Sequence, residues 1–455
     1  MSENGPDLVV AGAGGGLIAA LRAAQGGLDV LVVEASEHFR RGNNTSMSTA
    51  MVPGAGSRWQ ASAGIDDSPE RFVEDMVRKT KGAVDMALAR ALAEVSAPLV
   101  EWMADDLELP LDLVTDFPYP GHSALRCHTI EGRHGSALID HLIRLVSAHP
   151  RIDLMVPAKL SDVTLDDSGA VCSVTITSPD GATEEIETTA VLLATNGFGA
   201  NSAMVSELLP EIASAVYHGS EYSTGDALDI GRRLGADTAF LDGYQGHAAL
   251  SKKATTLVGW ATIMHGGVVL NVEGKRFGDE TTGYSEYAAI LAAQPDSSGW
   301  IVIDKEIYER CLLFTDFRQT VDSGAVVWAD SAQQLAEATG LPQSQVVDEL
   351  ARVAEYSNGS AADPFGRSNF GHSLQAPYAA VEIVPALFHT QGGLRVDRRA
   401  RVLSTEGAPI PGLYASGGAA MGISGHGASG YLAGNGLLPA LGLSYLAANS
   451  VLAAL

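Results

Sequence analysis

Cysteine is scarce. Cys127, Cys172 and Cys311 are the only three in 455 residues, they lie far apart, and no Cys-x-x-Cys pair occurs. That pattern disfavours a disulfide scaffold, a zinc ribbon, an iron–sulfur cluster, c-type haem and dithiol redox chemistry. The 12 histidines show no spacing diagnostic of metal ligation, so no metal is expected. Positive charge is also short, with 29 Lys and Arg against 54 Asp and Glu and a formal net charge of −25. Such a chain repels phosphate backbones and anionic lipid, so no nucleic-acid partner is expected. No uninterrupted apolar run approaches membrane-spanning length, which argues against membrane insertion. The amino terminus MSENGPDLVV has no basic stretch followed by an apolar one, so the expected location is cytoplasmic. What is present is an ordinary hydrophobic share, 46%, which excludes global disorder. The length suits two or three domains with a sizeable core.

Asp7 to Ala11 reads DLVVA, a short run suited to a buried parallel strand. It enters GAGGG, Gly12 to Gly16, and then LIAALRAAQ, a helix rich in Ala and Leu that ends at Gly26-Gly27. LDVLVVE follows as a second buried strand closing on Glu34. This is a βαβ unit whose glycine turn, with Gly12, Gly14, Gly15 and Gly16, opens onto a helix N-terminus. Backbone N–H groups and the helix dipole there suit a pyrophosphate. Glu34 lies twenty residues after Gly14, where a carboxylate can accept ribose hydroxyls. The glycine fingerprint is imperfect, with Leu17 at its third position counted from Gly12. These residues indicate an adenosine cofactor with an unphosphorylated ribose, and both FAD and NAD satisfy them.

Helical periodicity runs from Ser68 to Asp106, started by Ser68-Pro69-Glu70. Ile152 to Thr189 alternates as a β-meander, with a type I turn expected at Ser178-Pro179-Asp180-Gly181. AVLLA, from Ala190, is another buried strand. A helix begins at TGDAL, and Asp330 to Tyr356 is helical with Asp330 or Ser331 as N-cap. The last hundred residues return to strand and glycine motifs. The expected fold class is α/β. A Rossmann-like nucleotide-binding domain is formed by both ends of the chain, 1–242 and 356–455, with an α+β capping domain inserted at 243–355.

Several segments together resemble the fumarate reductase/succinate dehydrogenase flavoprotein superfamily, which includes the 3-ketosteroid dehydrogenases. They are the N-terminal βαβ unit, GIDDSPERFVEDM, TGDAL, GGVVLNVEGKRFGDE and PGLYASGG with its glycine-rich tail. The resemblance implies FAD, a small-molecule substrate and redox chemistry at a carbon–carbon bond beside an electron-withdrawing group. It leaves the electron acceptor open. It also implies cofactor contacts at Asn43, Asn44, Thr45, Ser46, Asp226 and Gly417. Some relatives attach flavin to a histidine in the early glycine/serine segment. Here that segment reads Arg41-Gly42-Asn43-Asn44-Thr45-Ser46, so non-covalent FAD is expected. Asn435, Gly436, Leu437 and Leu438 precede an apolar helix whose N-terminus can stabilise negative charge on the pyrimidine edge of reduced flavin.

The chain departs from fumarate reductases at two positions. Those enzymes place a proton-donating arginine four residues after the acidic end of the GKRF segment, where this chain has Tyr284 after Glu280. They also grip a substrate carboxylate with a C-terminal arginine, and no arginine follows Arg401 here. Bidentate carboxylate binding is what arginine does best, so fumarate and succinate are disfavoured. A tyrosine at the position of Tyr284 is similar to the 3-ketosteroid dehydrogenases and implies proton transfer next to a ketone. Tyr431 with the Gly434 N–H is the candidate pair for holding the carbonyl oxygen. His247 and His389 match histidines that bind substrate in fumarate reductases. Tyr119, in FPYPGH, and His426, in SGHG, are further substrate-contact candidates. The expected activity is desaturation, or the reverse reduction, of a carbon–carbon bond adjacent to a ketone or similar carbonyl. The alternatives are a reductase or dehydrogenase of an unsaturated carboxylic acid, and a flavoprotein electron-transfer subunit.

Overall fold

The computed structural model describes residues 5–115, 119 and 121–454. The chain forms two compact units. The first runs through Leu209 and takes in Gly219–Gln245 and everything from His389 onward. The second consists of Pro210–His218 and Gly246–Phe388.

The first unit is built on a six-stranded sheet in the order Arg401–Leu403, Pro409–Ala415, Val191–Leu193, Leu8–Ala11, Val30–Val33, Ile152–Met155. All neighbours are parallel except the edge pair Arg401–Leu403 and Pro409–Ala415. Leu8–Ala11 and Val30–Val33 are buried throughout, as unbroken apolar runs must be when a sheet is covered on both faces. Helix Gly16–Gln25 packs against Leu437–Leu452, so the two ends of the chain share one core. Gly15 is required at that contact, because a Cβ there would stand 2.6 Å from the Ala440 carbonyl oxygen.

Two expectations from periodicity change. The helical stretch at 68–106 is two helices, Pro69–Lys79 and Met86–Asp105. Lys81 and Gly82 adopt positive φ, and the Gly82 N–H closes onto the Val77 carbonyl at 2.8 Å. Asp85 then caps the second helix through the N–H groups of Ala87 and Leu88. Ile152–Met155, read with the meander, instead adds parallel to Val30–Val33. The meander itself is Lys159–Leu165, Val171–Thr177 and Thr183–Glu187. Its turn closes as expected, with Gly181 N–H on the Ser178 carbonyl at 2.9 Å.

The second unit centres on the long strand Tyr378–Thr390. It pairs with Val216–Tyr217, Tyr244–Ser251, Gly299–Asp304 and Val327–Ala329, and Val268–Asn271 extends the sheet beyond Gly299–Asp304. This pairing shifts the boundaries from those read in the sequence. The insert reaches Phe388 rather than 355, and it recruits Pro210–His218 from within the span assigned to the first domain. Non-local strand pairing decides this, and no local pattern reports it. Helices Ala332–Thr339 and Gln343–Ser357 divide the polar helical stretch at Gly340, and Ser331 is the cap that accepts from Gln334 N–H. Among the described residues, no helix is long and apolar enough to cross a membrane, and no group of His, Cys, Asp and Glu is arranged to hold a metal ion.

Candidate active site

In the first unit the glycine turn sits at the carboxyl ends of the parallel strands. Gly12 has φ +111°, and a Cβ there would meet the Ala194 carbonyl oxygen at 2.3 Å. Only glycine allows the turn to pass this close to the neighbouring strand. Helix Gly16–Gln25 begins without a side-chain cap; its Leu17 and Ile18 N–H groups close onto the Gly14 and Gly15 carbonyls at 3.3 and 3.1 Å, and the positive end of the helix dipole points at the glycine turn, an arrangement that suits an anion. Glu34 is buried, and its carboxylate accepts from the Ala13 N–H at 2.7 Å and the Ser36 N–H at 2.8 Å. Desolvation raises its pKa, and the backbone donors hold it back in part. Glu34 therefore ties the glycine turn to the end of the second strand.

The early polar segment folds on itself. Asn43 Oδ1 accepts from Ser46 N–H at 2.7 Å, and Asn43 Nδ2 reaches the Ala13 carbonyl at 3.4 Å. Asn44 Oδ1 takes the Ser220 N–H at 2.8 Å. Thr45 Oγ1 would stand 3.1 Å from a Cβ on Gly14, so Asn43 and Thr45 both flank the turn. Asp226 Oδ1 accepts from Lys159 Nζ at 2.8 Å and from Thr224 Oγ1 at 3.1 Å. Gly417, with φ +59°, starts the turn that follows strand Pro409–Ala415.

Near the carboxyl terminus, Gly434 has φ +88° and lies against Pro53, where a Cβ would come within 2.4 Å of the ring. Asn435 is fully buried. Gly436 precedes helix Leu437–Leu452, which has no side-chain cap, and no atom lies within 4 Å of a Cβ placed on it. Leu437 and Leu438 are buried and anchor this end of the helix. Two buried oxygens of this unit, Asn435 Oδ1 and Thr195 Oγ1, have no hydrogen-bond partner. Thr195 follows strand Val191–Leu193 and was not among the residues singled out from the sequence. Its only signal there is its place just beyond a buried strand. An uncapped helix start, a glycine turn that excludes side chains, a buried carboxylate at the second strand and unpartnered buried oxygens form a donor and acceptor set that fits a flavin dinucleotide.

The substrate candidates divide between the units. In the second, His247 is buried in strand Tyr244–Ser251. Its ring stacks on Tyr284 at 4.8 Å between centroids and on Phe388 at 5.2 Å, with interplanar angles of 23° and 19°. Its Nδ1 accepts the Ala249 N–H at 3.1 Å, which places the proton on Nε2. Tyr284 opens helix Tyr284–Ala292 after Gly283, whose φ is +127°. In the first unit, His389 and Asn435 belong to one side-chain network. Tyr431 is half-buried in the turn before Gly434. His426 is exposed, with Nδ1 2.8 Å from Asp242 and its ring 5.1 Å from Phe240. Tyr119 is half-buried in its loop.

Four histidines are held neutral. Desolvation lowers His122, His128 and His389 to about 4, and His247 to about 3, from an ordinary value of 6.5. Because each folded-state pKa lies below the unfolded one, unfolding takes up protons between those values. Their stabilisation is full above pH 6.5 and is lost as pH falls toward 4. Urea unfolding measured from pH 7.5 to 4.5 is expected to show stability falling with acidity, by up to about 1.4 kcal/mol per pH unit for each histidine. His247→Phe, which retains a stacking ring, should flatten the slope. An unchanged slope in that variant would remove His247 from the set.

A parallel sheet with a glycine turn, paired helix N-termini at its carboxyl edge and a second unit carrying polar aromatic residues defines a flavin-dependent oxidoreductase. The profile of the FAD binding domain family matches residues 7–437, and the chain belongs to that family. It is 28% identical over 436 residues to the fumarate reductase (cytochrome) of Shewanella frigidimarina, covering 95% of this chain and 74% of that protein. It is 27% identical to the urocanate reductase of Eggerthella lenta, covering 90% and 69%. Among solved structures, the open conformation of a flavocytochrome c3 fumarate reductase superposes with a TM-score of 0.86 at 25% identity, covering 99% of this chain and 78% of that one. The 3-ketosteroid-delta4-(5alpha)-dehydrogenase of Rhodococcus jostii shares the fold, with a TM-score of 0.77 at 23% identity and 99% and 97% coverage. FAD is the cofactor of this family, as the sequence resemblance implied.

Proposed function

We propose that this protein catalyses redox chemistry at a carbon–carbon bond conjugated to a ketone or similar carbonyl, desaturating the single bond or reducing the alkene. The observation that carries the reading is Tyr284. A phenol, set on the face of a buried neutral histidine 4.8 Å away, occupies the start of a helix. A neutral aromatic surface of this kind favours a neutral conjugated substrate over a dicarboxylate.

FAD, when bound, supplies or accepts the hydride. Tyr284 moves the proton at the carbon next to the carbonyl, giving it in reduction and taking it in desaturation. The Tyr431 O–H and the Gly434 N–H polarise the carbonyl oxygen, where negative charge develops. Asn43, Thr45, Glu34 and the glycine turn hold the dinucleotide, and His426 and Tyr119 contribute to substrate contact. The electron donor or acceptor is a separate molecule.

A second reading is favoured by the relatives. The names of the Shewanella and Eggerthella proteins specify fumarate and urocanate, each with a double bond conjugated to a carboxyl group. His247 and His389 would then hold a single carboxylate in place of an arginine clamp. The deciding experiment mixes the photoreduced flavoprotein, without oxygen, with cyclic enones and with enoates, and follows flavin absorbance. Rapid reoxidation by enones supports the first reading. Reoxidation by enoates alone supports the second. Reoxidation by neither, with turnover restored only by a protein partner, would leave an electron-transfer subunit.

A further inference from the structure

A directed chain of hydrogen bonds runs through the first unit. Asn435 Nδ2 donates to Ser424 Oγ at 3.1 Å. The Ser424 hydroxyl donates to Gln391 Oε1 at 3.1 Å. Gln391 Nε2 then stands 3.0 Å from His389 Nδ1. Asn435, Ser424 and Gln391 are each at most 2% exposed, so water cannot replace a missing link. The two inner members, Ser424 and Gln391, each accept one of these bonds and donate the next, so the polarity is the same at every step. Gln391 is further fixed through its backbone, with its N–H on the Gly243 carbonyl and its carbonyl taking the Gly422 N–H, both at 2.7 Å.

We propose that Gln391 is a positioning residue that holds His389 as the Nε2–H tautomer, so that His389 acts on the substrate as a hydrogen-bond donor. An imidazole nitrogen that accepts a hydrogen bond carries no proton, and in the neutral ring the other nitrogen must carry it. The Nε2 edge is the one left to meet a substrate. It faces Gly418, where a Cβ would stand only 3.0 Å away, so the missing side chain keeps that edge clear. The chain therefore presents an acceptor at one end, the unpartnered Asn435 Oδ1, and a donor at the other. The donor end suits a carbonyl or carboxylate oxygen that gains negative charge during the reaction. Ser424 and Asn435 act through Gln391 in setting this polarity. The substrate side of the inference rests on the function proposed above, whereas the tautomer does not.

The test reads the tautomer directly. The FAD-loaded protein is labelled with 15N-histidine, and long-range 1H–15N correlations are recorded at neutral pH, with His389 assigned by comparison with His389→Gln. A proton on Nε2 and a bare Nδ1 are expected in the wild type. Gln391→Glu offers only acceptors, so the proton should move to Nδ1, and kcat/KM should fall by about 10²-fold, the effect of removing one donor to a developing oxyanion. Ser424→Ala, a smaller change, breaks the chain one link earlier and should leave a mixture of tautomers with a smaller loss. A proton on Nδ1 in the wild type would overturn the proposal by showing the chain reversed. So would Nε2–H persisting in both variants. A wild type with Nε2–H that turns over neither enones nor enoates would sink the proposed function and leave the tautomer assignment intact.

Discussion

Glu280→Ala is expected to cost about 3–5 kcal/mol of stability in the second unit, the range found when one partner of a buried ion pair is removed. Glu280 is fully buried and accepts from Arg276 Nε at 2.8 Å, Arg276 Nη2 at 2.7 Å, Arg367 Nη1 at 3.0 Å and the Val269 N–H at 3.2 Å. Arg276 is also buried and pairs with Asp363 at 2.5 Å. Burial works against its charge, but the hydrogen bonds and charges of Glu280 and Asp363 outweigh that and raise its pKa above the ordinary value. Phe370 covers both guanidinium groups, at 5.1 Å from Arg276 and 4.3 Å from Arg367. Removing Glu280 leaves two guanidinium groups in a dry site with Asp363 as the remaining carboxylate of this network. Glu280→Gln should lose most of the same stability, because an amide has one acceptor oxygen and no charge. Urea unfolding followed by tryptophan fluorescence reports the effect, since Trp260 donates to the Glu280 carbonyl at 3.2 Å. A loss under about 1 kcal/mol in both variants would show that the network relaxes around the gap. Glu280 also starts the 3₁₀ turn Glu280–Thr282 that leads to Tyr284, so its loss should disturb the proposed proton donor as well.

Tyr284→Phe is expected to lower turnover by about 10²–10⁴-fold, the usual contribution of a positioned proton donor, while flavin content and thermal stability stay close to wild type. The comparison is clean because phenylalanine retains the ring that stacks on His247 and removes only the hydroxyl. A packing role would leave kcat nearly unchanged, since the stacked area is the same. A general acid or base role would reduce kcat and kcat/KM together and slow solvent isotope exchange at the carbon next to the carbonyl to a similar extent. Wild-type turnover in this variant, with chemistry rate-limiting, would remove Tyr284 from the reaction. Tyr431→Phe should give a smaller loss, because the Gly434 N–H would still hold the carbonyl oxygen in the same reading.

The cofactor end of the molecule was legible in local patterns. DLVVA, the glycine turn, an Ala-rich helix and LDVLVVE each had the composition of the element it became, and Glu34 closed the unit. Gly436 and the apolar helix after it were legible for the same reason, since an uncapped helix start needs only a few neighbouring residues to be recognised. Asp226 shows what a local pattern leaves open. Its place at a helix start is as read, but Lys159, distant in sequence, takes its carboxylate.

The sequence by itself determined the strand–turn–helix grammar of the nucleotide domain and the absence of an arginine at position 284, because both are matters of residue type and short-range spacing. Only the tertiary structure decided that Tyr378–Thr390 belongs to the sheet of the second unit, that His247 lies between Tyr284 and Phe388, and that Gln391 and Ser424 link His389 to Asn435. Apart from the local Gln391–His389 link, those outcomes depend on contacts between residues 11 to 170 positions apart, whose formation follows from burying apolar surface and pairing every buried polar group at once.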